Sequence, residues 1–149
     1  MWTVAVSLCF VLVPVPPLSE ELKSLQGEWQ AISVEEKGEA WNKVEAADFK
    51  LDISGDTLIY KRNNPIEKFR MTLDAKQKPA HMDLRLIAGN VDPNKACHAI
   101  YSLENGRLKL CLQHEFTADS PDDRPTEFTT GGKRPTSGSL LVVLERKKK

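Results

Sequence analysis

The chain has 149 residues, 40% of them apolar, with 21 Lys and Arg set against 21 Asp and Glu. That length supports one hydrophobic core without metal or disulfide help. The balance of charge leaves no overall field to gather nucleic acid or an anionic membrane, so neither is expected as a partner. The basic end, Glu145-Arg146-Lys147-Lys148-Lys149, reads as a solvated tail rather than a phosphate site.

Residues 1–18 contain no charged side chain, and Val4 to Val15 is an apolar run broken only by Ser7 and Pro14. The run is too short to span a bilayer and suits the apolar region of a signal peptide, although no Lys or Arg follows Met1. The expectation is therefore an exported protein, periplasmic or extracellular. Its mature domain would be 19–149, with no stable membrane insertion. Loss of such a leader removes Cys9 and leaves Cys97 and Cys111. If Asn105-Gly106 is a two-residue turn, Cys111 faces Ile100 and Cys97 faces His114, with the two sulfurs on opposite sides of the sheet. A three-residue turn would bring them diagonally onto one face; two free thiols are expected.

Ser19 to Gln26 reads as a short helix, with Ser19 as its cap, Glu20 and Glu21 in the first turn, and Leu22 and Leu25 facing inward. Gly27 ends it. The chain then looks extended from Trp29 to Glu36, and Lys37-Gly38-Glu39 supplies a turn. Phe49, Leu51 and Ile53 alternate with polar residues, as one buried and one wet strand face require. Gly55-Asp56 turns the chain, and Leu58 and Tyr60 return on the face that meets Leu51 and Ile53. Past Asn63-Asn64-Pro65, Phe69, Met71 and Leu73 alternate, then Met82, Leu84 and Leu86. Beyond the 89–94 loop, Ala99, Tyr101 and Leu103 face Leu108, Leu110 and Leu112 across Glu104-Asn105-Gly106. Residues 113–138 carry no periodic apolar pattern and form one long connection. The last strand runs from Ser139 to Arg146 and is apolar on both faces from Leu140 to Leu144.

The pattern predicts an all-β domain: an eight-stranded antiparallel up-and-down barrel behind a short N-terminal helix, its last strand closing on its first. The same spacing also permits a two-sheet sandwich. Gly27-x-Trp29 at the first strand, with an Arg in the last, resembles the lipocalin and calycin arrangement. That resemblance implies barrel closure by Gly27, Trp29 and Arg146, with Arg146 packed on Trp29. Leu25-Gln26-Gly27-Glu28-Trp29, Pro79 to Leu84, Ile100 to Leu103, Leu108 to Cys111, Asp123 to Phe128 and Leu140 to Leu144 together resemble a family of small, often exported lipocalin-like domains. That family has no assigned function and is expanded in planctomycete bacteria. The resemblance implies a lipocalin-like barrel and no known catalytic activity.

Candidate sites carry competing readings. In Asp122 to Phe128, Arg124, Glu127 and Phe128 either line the barrel mouth and contact a ligand, or Arg124 pairs with a carboxylate to pin the long loop while Phe128 plugs the barrel. The second is favoured, since a long loop needs anchoring and paired charges leave little over. Tyr60, Phe69, Tyr101 and Leu110 line the interior, as packed core or as a pocket wall. His81 and Asp83 share a strand face and could serve a hydrolase, but no nucleophile motif accompanies them, so catalysis is not expected. Cys97, His98 and His114 could approach one another, yet lack the spacing of a zinc site, so neither metal nor cofactor is expected. The leading expectation is a binding module for a small apolar ligand or a peptide, at the open end near residues 115–138. The alternative is a filled barrel, structural or inhibitory, that contacts a protein partner through the same loop.

Overall fold

The computed structural model describes residues 14, 16–62, 66–88, 96–113, 123–133 and 136–148; residues 1–13 and 15 of the expected leader, 1–18, and His114 lie outside them. Helix α1 (Glu20–Leu25) starts where Ser19 Oγ accepts the Leu22 N–H at 3.3 Å, with two acids in its first turn. Such a short helix is held by docking rather than by propensity. Leu25 is fully buried, and Gln26 bonds both the N–H and the C=O of Gly55, at 2.7 and 3.0 Å.

Strand β1 (Gly27–Glu36) leads through the short β2 (Glu39–Ala40) into a second helix, α2 (Lys43–Ala47). Asn42 caps α2, its Oδ1 accepting from the N–H groups of Val44 and Glu45 at 3.0 Å each. There follow β3 (Lys50–Ser54), β4 (Thr57–Lys61), β5 (Glu67–Asp74), β6 (Ala80–Ala88), β7 (Ala96–Glu104), β8 (Arg107–Leu112) and β9 (Leu140–Arg146). From β3 onward each strand pairs antiparallel with the next, and β1 pairs with both β3 and β9. Eight strands thus form a closed barrel rather than a sandwich, and β2 is an annex to β1. Closure gives every strand of the ring a neighbour on both sides among the described residues.

The β7–β8 register pairs Ile100 with Cys111, as a two-residue turn demands. Asn105 and Gly106 both have positive φ, 53° and 72°, the conformation that such a turn requires. Cys97 therefore faces the interior and Cys111 the outer side; both are free and buried. Bulges interrupt two strands: the register shifts make Ile32 the extra residue of β1 and Ile87 that of β6. Both side chains are exposed, and the inward positions of β1 run Trp29, Ala31 and Val34.

The interior is filled unevenly along the barrel axis. At the end under α1, the Trp29 indole is 1% exposed and donates to the Leu25 carbonyl at 2.9 Å. The Arg146 guanidinium sits 4.4 Å from the centre of that ring and donates to the carbonyls of Gln26 and Ser24. This cation–π contact is worth about 0.5–2 kcal/mol. Tyr101 belongs to the same end: burial raises its hydroxyl pKa, and the charges of Glu21 and Asp74 add to the effect.

Candidate functional site

At the opposite end of the barrel the core stops short of filling the space. A cavity of about 250 Å³ lies between Trp41, Phe49, Leu51, Leu58, Tyr60, Glu67, Phe69, Leu84, Cys97, Leu110, Leu112 and Leu140. Strand alternation supplies most of this wall. On β5 the inward positions are Glu67, Phe69 and Met71, and on β8 they are Leu108, Leu110 and Leu112. The segment from β2 to β3 contributes the rest, because α2 buries Ala46 and sets Trp41 and Phe49 on either side of itself.

The aromatic rings are mutually braced. The ring centre of Phe49 lies 4.7 Å from that of Tyr60 and 6.4 Å from that of Trp41, both pairs tilted. Arg62 stacks on Trp41 at 3.9 Å, and the indole N–H of Trp41 donates to Glu36 at 3.3 Å. Burial pushes the Tyr60 hydroxyl pKa up; Arg62 opposes that rise and the carboxylates of Glu67 and Glu36 add to it. Cys97 closes the inner wall. Its thiol donates to the Gln113 carbonyl at 3.3 Å, and burial pushes its pKa up to about 12, so it stays a neutral thiol and a poor nucleophile.

Of the residues singled out from the sequence, Tyr60 lines this cavity, whereas Tyr101 lies in the packed end and does not reach it. Arg124, Glu127 and Phe128 are not at the mouth. The described part of the long connection, 123–133 and 136–139, crosses the outer face of the sheet as a strap. Arg124 Nη2 donates to Asp83 Oδ1 at 2.6 Å, and its Nη1 donates to the Ala99 carbonyl at 2.7 Å. A guanidinium left this little exposed must be paired, and its partners lie on the outside of β6 and β7. Phe128 does not plug the barrel; its ring lies 5.4 Å from the outward-facing Lys109 ammonium, and Glu127 is exposed. Farther along, Thr130 bonds Glu35 and accepts the Gly38 N–H, while Gly131 and Gly38 meet so closely that a Cβ on Gly131 would sit 2.9 Å from the Gly38 Cα. Both glycines have positive φ, so the strap meets the β1–β2 turn backbone against backbone there, beside the side-chain bonds of Thr130.

His81 and Asp83 do share the outer face, but Asp83 is engaged elsewhere. His98 Nδ1 lies 2.8 Å from the same Asp83 oxygen that Arg124 bonds. Burial works against the charge on Asp83, but the hydrogen bonds from His98 and Arg124 outweigh it and hold the carboxyl below its usual range. The arrangement anchors the strap; it presents no nucleophile. Cys97 and His98 point to opposite sides of β7, and among the described residues no group of three or more His, Cys, Asp or Glu is placed to hold a metal ion.

The sequence reading missed Trp41, Glu67 and α2. Glu67 carried a usable signal: it stands two residues before Phe69, on the inward parity of β5, where an acid is out of place. Asn42 before Lys43-Val44-Glu45 was a cap signal for the helix that positions Trp41. Comparison of the chain with protein-family models, with curated proteins and with solved structures gave no match.

Proposed function

We propose that this chain is an exported, lipocalin-like binding module that holds one small apolar ligand in the cavity between Phe49, Tyr60, Phe69 and Leu110. The observation that carries the reading is the unequal filling of the barrel: one end is sealed by α1, Trp29 and Arg146, and the other keeps about 250 Å³ among aromatic and aliphatic walls. Apolar pockets with a few polar groups are the usual form of small-molecule sites. Space of this size suits a compact ligand or the end of a longer one. A hydrolytic reading gains nothing from the geometry, because Asp83 serves His98 and Arg124. A partner-binding strap is less favoured, because much of its described length is bonded to the barrel itself.

Native mass spectrometry of the protein purified from its own cells tests the reading. The expected result is a one-to-one adduct that extraction identifies as a small, largely apolar molecule. A bare protein that also fails to bind fatty acids and hydrophobic dyes would overturn it.

A further inference from the structure

We infer that the cavity selects an organic cation, a small amine or quaternary ammonium carrying an apolar body; this rests on the binding reading above and narrows it. Among the described residues, Glu67 is the only charged side chain in the cavity wall. Its neighbours there are Trp41, Tyr60 and Phe69, with Phe49 behind Tyr60. Among the described residues the Glu67 carboxylate has no ion-pair or hydrogen-bond partner, although it lies close enough to Tyr60 to raise the pKa of that hydroxyl.

A carboxylate facing an apolar space is costly unless something pairs it. Among the described residues beside the cavity, Arg62 is exposed, stacks on Trp41 and bonds Tyr60, and Glu36 accepts from the Trp41 indole; these two carry opposite charges, and Glu67 is the charge that stands in the wall itself. Aromatic faces add to the attraction, because their quadrupole presents negative potential to a cation within about 6 Å of the ring centre. Arg62 over Trp41 shows that one ring of this group already takes a cation. A ligand with an ammonium head at Glu67 and an alkyl or aryl body between Leu84, Leu110 and Leu140 would pair the carboxylate and fill the space together. An anionic ligand would meet Glu67 as a like charge.

Isothermal titration of the full chain at neutral pH with hexylammonium, hexanol and hexanoate, near-isosteric probes that differ in head group, separates the outcomes. Hexylammonium is expected to bind about tenfold more tightly than hexanol, with hexanoate weakest, and Glu67→Gln is expected to remove most of the difference between ammonium and alcohol. Saturating hexanol should displace the ammonium. Equal binding of alcohol and ammonium to the unaltered chain would overturn the cation inference and leave the apolar-cavity reading standing. Tightest binding of hexanoate would overturn it in favour of Arg62 as the anchor. Ammonium binding that hexanol cannot displace would place the cation outside the cavity and overturn it. Binding of none of the three would sink the cavity reading and this inference together.

Discussion

The two ends of the barrel use the same materials to opposite effect. Each has a tryptophan with an arginine stacked on it, Trp29 with Arg146 and Trp41 with Arg62, at 4.4 and 3.9 Å. The difference lies in what the rest of the chain does around them. Trp29 projects from a strand of the ring and is roofed by α1, so its ring, its N–H and the cation over it are all satisfied inside the fold. Trp41 stands between β2 and α2, outside the ring of strands. Its indole N–H donates to the side chain of Glu36 at the surface, and the space beside its ring stays unfilled. A stacked pair of the same chemistry is therefore a closure at one end and part of a wall at the other.

Substitution at the two tryptophans is the strongest way to break this comparison. Trp29→Ala removes a fully buried ring and should cost about 3–5 kcal/mol in chemical denaturation. Trp41→Ala should cost less than about 1 kcal/mol, since its ring is partly exposed beside an existing cavity, while weakening ligand binding severalfold. Equal losses of stability at the two sites would show that the ends are not distinct in the way the packing implies.

A smaller effect is expected from the strap, which belongs to neither end. Arg124→Met leaves Asp83 and the Ala99 carbonyl short of a donor and should destabilise the protein by about 1–3 kcal/mol, with ligand affinity in the cavity unchanged. A loss of affinity in that variant would tie the strap to the site and blur the separation of faces.

The smallest effect is a dependence on pH. Asp83 has its carboxyl held below the ordinary value of 3.8, so the folded state favours its ionised form. Its contribution is complete above that value and is lost as pH falls through it toward the lower folded-state pKa. Stability measured from neutral to strongly acidic pH should fall over that acidic window, and Asp83→Asn should flatten that part of the curve. The magnitude stays modest because Asp83 is partly exposed to solvent.

Much of the barrel is written locally. Phe49-Leu51-Ile53, Phe69-Met71-Leu73 and Met82-Leu84-Leu86 alternate with polar residues, and a period of two with one buried face admits little but strand. A turn at Asn105-Gly106 was readable too, since those residue types tolerate positive φ best, but its two-residue form, and with it the β7–β8 register that points Cys97 and Cys111 in opposed directions, was one of two readings until the strands were paired. The pattern failed where local spacing is broken. Ile32 is an extra residue in β1, so the inward positions skip from Ala31 to Val34 and no clean alternation marks that strand. Helix α2 is too short to show a period, and only its Asn42 cap announced it.

The choice between sandwich and barrel was settled by pairing across the whole chain, β1 with β9, which no local window contains. The path of the strap was settled the same way: an anchoring role for Arg124 was the favoured reading, but its partners, Asp83 and the Ala99 carbonyl, about 40 and 25 residues earlier, were visible only once the fold brought them beneath it. The sequence by itself determined the main strands of the ring, most of their turns and, outside the bulged β1, most of the apolar side chains that face inward, because these follow from short-range sterics and from the free energy of burying every second residue. Only the tertiary structure decided that one end of the interior is sealed and the other is hollow, because volume left over depends on how side chains from all eight strands meet, and no stretch of the chain encodes that alone.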